Sequence, residues 1–156
     1  MSEEIKSLTV SPRKGIMPVL LGMTLQEVTA ALNVTPQGKC YINGGERWNF
    51  SLNPTQSVFV SFRDAKAVEI EASPGPVPVL FNGVELFKPG GEQEAWNALL
   101  NAQPDPRSAG YGTVIFDRLG IAAGYYLEEE LGDRSLVIFA EGVWPDVSQL
   151  PFARVE

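Results

Sequence analysis

The sequence predicts an α+β protein of two tandem units, each a helix followed by an antiparallel sheet, with the helices packed on one face of the sheet. Three observations predict it. A short apolar run, a turn and an amphipathic helix occupy Pro18–Leu32, and the same order returns between Pro78 and Asn101. Gln26–Leu32 aligns with Gln93–Leu99 at a spacing of 67, with four of the seven residues identical. Arg63–Ala72 aligns with Leu131–Ala140 at a spacing of 68, which matches Val68 to Leu136 and Ile70 to Ile138. Two matches at nearly one spacing predict a repeat inside a single domain over 1–156: unit one over 15–72, unit two over 78–140, and a tail over 141–156 that packs on the sheet.

Each element has a local reason. Residues 1–14 are a polar lead-in with one short strand at Ser7–Val10, and Gly15–Leu21 carries apolar side chains toward the core. In Thr24-Leu-Gln-Glu27 the threonine hydroxyl can accept from the Glu27 amide while the Glu27 carboxylate accepts from the cap amide, a capping box. Leu25, Val28 and Leu32 fall at helical spacing, and Asn33 with Pro36-Gln-Gly38 stops the helix. Lys39–Ile42 and Arg47–Leu52 read as a hairpin around Asn43-Gly44-Gly45, with both glycines taken as positive-φ residues. Ser57–Arg63 alternates, with Val58, Val60 and Phe62 on one face. Asp64–Lys66 turns into Ala67–Ala72, where Val68 and Ile70 face in and Glu69 and Glu71 face out.

Ser73-Pro-Gly-Pro76 is a short connector. Beyond it Val79–Phe81 is apolar, Asn82-Gly83 turns, and Pro89-Gly-Gly leads into a helix from Glu92 to Asn101. Strands follow at Tyr111–Phe116, Leu119–Leu127 and Arg134–Ala140, with turns at Asp117-Arg118 and Leu131–Asp133. One difference between the units matters. The residues aligned with the outward Glu69 and Glu71 are Val137 and Phe139. A strand apolar on both faces is either covered, here by the tail with Trp144, Leu150 and Phe152, or meets a partner.

Composition removes most catalytic designs. The chain has no histidine, which excludes Ser-His-Asp and Cys-His catalysis and the common zinc sites. Its single cysteine, Cys40, can form no internal disulfide and has no base near it in sequence. No phosphate-cradling or nucleophile-elbow motif occurs, and Gly110-Tyr-Gly112 reads as the start of a strand. No catalytic, metal or cofactor residue is therefore expected. The net charge of −7 disfavours nucleic acid and permits a basic protein partner. No apolar run is long enough to cross a membrane, and the charged start lacks an apolar signal segment, so a cytoplasmic location is expected.

The residues left for binding are Tyr125, Glu128, Glu129, Glu130, Val137 and Phe139. Glu128-Glu-Glu130 with Asp133 is either a solvated hairpin tip or an electrostatic landing patch for a basic partner. Adjacent Tyr125 and Tyr126 put one ring outward unless their strand is covered, and tyrosine is a favoured hot-spot residue. Trp96, next to the core position Ala95, reads as a rim residue between helix and sheet.

The run Gly15-Ile-Met-Pro-Val-Leu-Leu-Gly-Met-Thr-Leu-Gln-Glu-Val28 resembles the opening of proteins with the beta-lactamase-inhibitor-protein-like fold, and that of small outer-membrane assembly lipoproteins that carry one such unit. The resemblance implies tandem helix-plus-sheet units related by duplication, and Gly22-Met-Thr24 with Glu27-Val28 is its helix-entry device. Acidic cytoplasmic relatives of this layout resemble immunity proteins, which bind and neutralise a toxin. The functional expectation is a non-catalytic protein-binding module, an immunity protein or an inhibitor. The alternative is a binder of a small apolar ligand between helix and sheet, with Trp48 and Trp96 as walls. A carboxylate-dependent enzyme is a third reading, and a homodimer through exposed strands is compatible with all three.

Overall fold

The computed structural model describes residues 5–42, 44–110, 112–124, 134–143 and 150–153. In chain order these form β1 (Leu8–Ser11), β2 (Gly15–Met17), β3 (Val19–Leu20), α1 (Leu25–Leu32), β4 (Gly38–Ile42), β5 (Gly45–Asn53), β6 (Gln56–Arg63), β7 (Lys66–Ala72), β8 (Val79–Phe81) and β9 (Val84–Glu85). They continue with α2 (Glu92–Ala102), β10 (Arg107–Gly110), β11 (Thr113–Phe116), β12 (Ile121–Gly124) and β13 (Ser135–Phe139). The class is α+β, as the sequence predicts, but there are two sheets instead of one. A five-stranded mixed sheet has the order β3-β2-β1-β8-β9, and an eight-stranded antiparallel sheet has the order β10-β11-β12-β13-β7-β6-β5-β4.

The second sheet has a simple origin. The apolar runs ahead of each helix are strands in their own right, and a strand needs a ladder for its amides and carbonyls. Each folds back as a hairpin with a two-residue loop, Ile16 opposite Val19 and Phe81 opposite Val84. The lead-in strand β1 joins them, antiparallel to β2 and parallel to β8. One buried cluster then unites both sheets and both helices. Ile16, Val19 and Phe81 come from the small sheet, Phe50, Val60, Ile70 and Ile138 from the large one, and Val28, Leu32, Ala95, Trp96 and Leu99 from the helices.

Helix α1 begins with the expected reciprocal cap. Thr24 Oγ1 accepts from the Glu27 amide at 3.2 Å, and the Thr24 amide donates to Glu27 Oε1 at 3.1 Å. It ends at Asn33, which takes the left-handed conformation at φ 55°. Helix α2 has Gly91 at its N-cap without a side-chain hydrogen bond.

The strands correct several expectations. Gly44 has positive φ, but Gly45 does not: a Cβ on Gly45 would lie 1.9 Å from the Phe62 carbonyl oxygen, so that glycine is required for close approach to β6. Val58, Val60 and Phe62 are buried as expected. On β7 the register shifts opposite Ser61 and Phe62, so Ala67 is buried beside Ile70 and Ala72 while Val68 is half-buried. Gly110 ends β10 and Gly112 lies in the following turn, so this glycine pair closes a hairpin. Strand β10 itself is missing from the sequence reading, because Arg107-Ser-Ala-Gly110 carries no β-branched or aromatic residue. Leu119 lies in the turn before β12, and the expected strand and turn over 125–133 fall outside the described residues.

The β6–β7 turn is strained in a way that can be tested. Asp64 and Ala65 form a two-residue loop with φ of 52° and 65°, and alanine resists that region. Ala65→Gly is expected to raise stability by about 0.5 to 1 kcal/mol, read as a higher urea midpoint at unchanged slope.

Candidate functional site

Because the core cluster takes one face of the eight-stranded sheet, the other face is free of helices among the described residues. Its side chains follow from the ladder register. One row runs Ile115, Ala122, Val137, Glu71, Phe59 and Asn49. The next runs Phe139, Glu69, Ser61, Arg47 and Cys40. This outer face divides in two. On the β11–β13 side Ile115, Ala122 and Phe139 are buried, with Val137 and Leu150 packed against them. On the β5–β7 side the face is ionic and half-exposed. Arg47 pairs with Glu71 and lies over the Phe59 ring at 4.6 Å. Asn49 Oδ1 has no hydrogen-bond partner among the described residues.

Of the six residues that the sequence singles out for binding, Val137 and Phe139 sit together on this outer face, two residues apart on β13. Phe139 is only 6% exposed and Val137 is half-buried. Strand β13 is thus apolar on both faces, with Leu136 and Ile138 in the main core. Leu150, from the tail, supplies part of the cover. Tyr125, Glu128, Glu129 and Glu130 lie outside the described residues.

The tail segment also closes one edge of the sheet. Phe152 bridges to Arg107, the Ser108 amide donates to the Pro151 carbonyl at 2.8 Å, and the Ala153 amide donates to the Pro106 carbonyl at 2.9 Å. The Arg107 guanidinium lies 3.9 Å from the Phe152 ring centroid and donates to the Leu150 carbonyl.

The aromatic positions differ from expectation. Trp96 is not a rim residue. It is 2% exposed and meets Phe116 edge to face at 5.7 Å. The helical position after Ala95 turns inward onto Phe116 of β11, a neighbour that periodicity does not reveal. Trp48 is half-buried, and its Nε1 donates to Glu46 Oε2 at 3.1 Å.

Two surface hollows lie between helix and hairpin. One of about 460 Å³ is lined by Asn82, Val84, Glu94, Asn97, Ala98 and Asn101. The other, about 780 Å³, is lined by Ile5, Lys6, Ser7, Thr9, Met17, Pro18 and Ala31. Neither Trp48 nor Trp96 lines them. Among the described residues no group of three or more histidines, cysteines or acids is placed to hold a metal ion. No helix among the described residues is long and apolar enough to cross a membrane.

Sequence periodicity misses the buried polar residues altogether. Arg134, 2% exposed at the start of β13, reaches Glu92 in the first turn of α2, with Nη2 3.3 Å from Oε1. The Glu92 carboxylate is held below the ordinary 4.5 first by its own backbone amide, then by the Gly90 amide and by Arg134, with burial opposing. A depressed carboxylate contributes stability above its unfolded pKa and loses it as pH falls through the folded value. Acidification below 4.5 should therefore lower the Tm of the wild-type chain more steeply than that of Glu92→Gln, measured as Tm against pH.

A protein with this geometry has a two-sheet α+β fold whose large sheet bears, among the described residues, a helix-free face that is partly ionic and partly apolar. Comparison with protein families, with curated proteins and with solved structures finds no match to the chain.

Proposed function

We propose that this chain is a non-catalytic protein-binding module of the immunity-protein or inhibitor kind, acting in the cytoplasm on a basic toxin or enzyme. The observation that carries the reading is the sheet face free of helices among the described residues, where Phe59, Arg47, Glu69, Glu71 and Val137 lie in two adjoining rows opposite the side that holds both helices. A broad, rigid antiparallel face with an aromatic ring among charges suits protein recognition better than small-molecule chemistry. The acidic balance of 19 acids to 12 bases favours a basic partner, and Glu128-Glu-Glu130 precedes the strand that bears Val137.

Affinity capture with cross-linking, from native cells carrying the tagged chain, tests it. One stoichiometric basic protein is expected, lost when Glu128, Glu129 and Glu130 are all changed to lysine while the circular dichroism spectrum is kept. Equal capture by that variant removes the acidic landing patch, and recovery of no specific protein ends the reading.

The same proposal includes descent of the two halves from one duplicated unit. Ile70 and Ile138, matched at a spacing of 68 in sequence, are direct partners across the β7–β13 ladder, as a two-fold axis between halves requires. Each half runs hairpin, helix, four-stranded meander, and Ala31 and Ala98 line corresponding hollows. An experimental structure in which 15–72 and 78–140 superpose only with their strands out of register would overturn this.

The second reading, a small apolar ligand, has the larger hollow in its favour, since Ile5, Met17, Pro18 and Ala31 make part of its lining apolar beside Lys6, Ser7 and Thr9. Native mass spectrometry of freshly purified protein tests it, and the absence of any retained small molecule counts against it.

A further inference from the structure

We propose that β4 is a homodimerisation edge, on which a second copy of this chain pairs its own β4 antiparallel, with Cys40 facing Cys40 of the partner subunit across the two-fold axis. The two edges of the eight-stranded sheet are treated differently. On the β10 edge the tail adds a bridge made of two backbone hydrogen bonds. On the β4 edge, among the described residues, no strand pairs beyond Gly38–Ile42. An antiparallel edge with unmet amides and carbonyls is a template for another strand, and proteins normally blunt it with proline, bulges or outward charges.

Strand β4 carries no proline, and its only charge, the exposed Lys39, is already engaged by groups of its own chain. Lys39 Nζ lies 3.6 Å from Glu46 Oε1, 5.0 Å from the Tyr41 ring centroid and 5.2 Å from that of Trp48. Beside it Cys40 is exposed and Tyr41 is 77% exposed.

The strand is also complementary to itself in one register. With the axis at Cys40, Lys39 faces Tyr41 of the partner subunit and Tyr41 faces Lys39 of the partner subunit, so each cation meets a ring it can hold. An axis at Lys39 would set two lysines against each other, and an axis at Tyr41 would leave both lysines without a ring opposite. This interface lies at the end of the sheet, beside the face proposed for a partner protein, and stands independently of it.

Light scattering on the full chain under reducing conditions, across a concentration series, tests the proposal. A dimer with a dissociation constant on the order of 10 to 100 µM is expected, because a single strand pair is a small interface. Tyr41→Lys, at a site exposed enough to leave the fold unchanged by circular dichroism, should weaken dimerisation about tenfold or more through facing lysines. Cys40 reports the register. Cα atoms directly opposite in an antiparallel pair lie within disulfide reach, so a thiol oxidant should give covalent dimer quickly. The Cys40→Ser, Tyr41→Cys double variant should cross-link much more slowly. A chain still monomeric at about 1 mM, well above that range, overturns the proposal. So does undiminished dimerisation of Tyr41→Lys, or equally fast cross-linking of the double variant.

Discussion

Replacing Trp96 with alanine is expected to cost about 4 kcal/mol and to lower Tm by about 10 °C or more. The indole is 2% exposed, meets Phe116 edge to face, and is the largest fully buried side chain among the described residues. Its removal leaves a void between α2 and β11, and close-packed surroundings relax only in part. Trp96→Phe should lose much less, about 1 to 2 kcal/mol, because the ring contact survives and the indole N–H has no hydrogen-bond partner among the described residues. Urea unfolding followed by circular dichroism separates the two variants. If Trp96→Ala costs less than about 1 kcal/mol, the tryptophan is a rim residue after all.

The second large effect lies at Gln56, which is 3% exposed. Its amide clasps the connector between the two halves: Nε2 donates to the Ser73 carbonyl at 3.2 Å and to the Val77 carbonyl at 2.8 Å, and Oε1 accepts from the Val77 amide at 2.8 Å. Asn53 Nδ2 donates to the same oxygen at 3.1 Å. Gln56→Ala should cost about 2 to 3 kcal/mol, since it strands backbone groups that have left water. The connector has adapted to this side chain. A Cβ on Gly75 would lie 2.4 Å from the Gln56 side chain, so Gly75→Ala alone should be destabilising. In a Gln56→Gly background, which also removes the Gln56 Cβ 2.5 Å from that position, it should be nearly silent. A double-mutant cycle measures that coupling, and simple additivity would show that the clasp does not hold the connector.

The same pair shows what kinds of information the chain carries on its surface. Ser73-Pro-Gly-Pro76 is visible in sequence as a connector, because proline and glycine dictate local backbone whatever surrounds them. Its clasp is invisible, because Gln56 lies 17 residues before Ser73 and looks like any polar residue at a strand start. Gln103 behaves alike. It is 1% exposed at the end of α2, where Nε2 donates to Asp117 Oδ1 at 2.7 Å and Oε1 accepts from the Arg118 amide at 2.9 Å. Buried polar groups are set by partners distant in sequence, and periodicity has no term for them.

The candidate face was half legible. Alternation placed Glu69 and Glu71 outward, and the aligned positions flagged Val137 and Phe139 as apolar on a face where acids were expected. That all four share one surface could not be read, because it depends on β13 pairing with β7, with Val137 opposite Glu71 and Phe139 opposite Glu69. Arg47 and Phe59 went unmarked: alternation sets Phe59 on the face opposite Val58, Val60 and Phe62, but a single phenylalanine or arginine on an outer face carries no signal by itself.

By itself the sequence determined the elements whose causes are local: the Thr24–Glu27 cap, the Asn33 stop, the alternation of β6, the Asn82-Gly83 turn and the start of α2 at Glu92. These depend on hydrogen bonds and torsions within a few residues. Tertiary structure alone decided that the apolar runs before each helix form a second sheet, that β10 exists and takes the tail on its edge, and that Trp96 points inward. A ladder needs a partner strand, and burial needs a neighbour. Both are supplied by residues far along the chain, so their energies enter only once the two sheets have closed over one core.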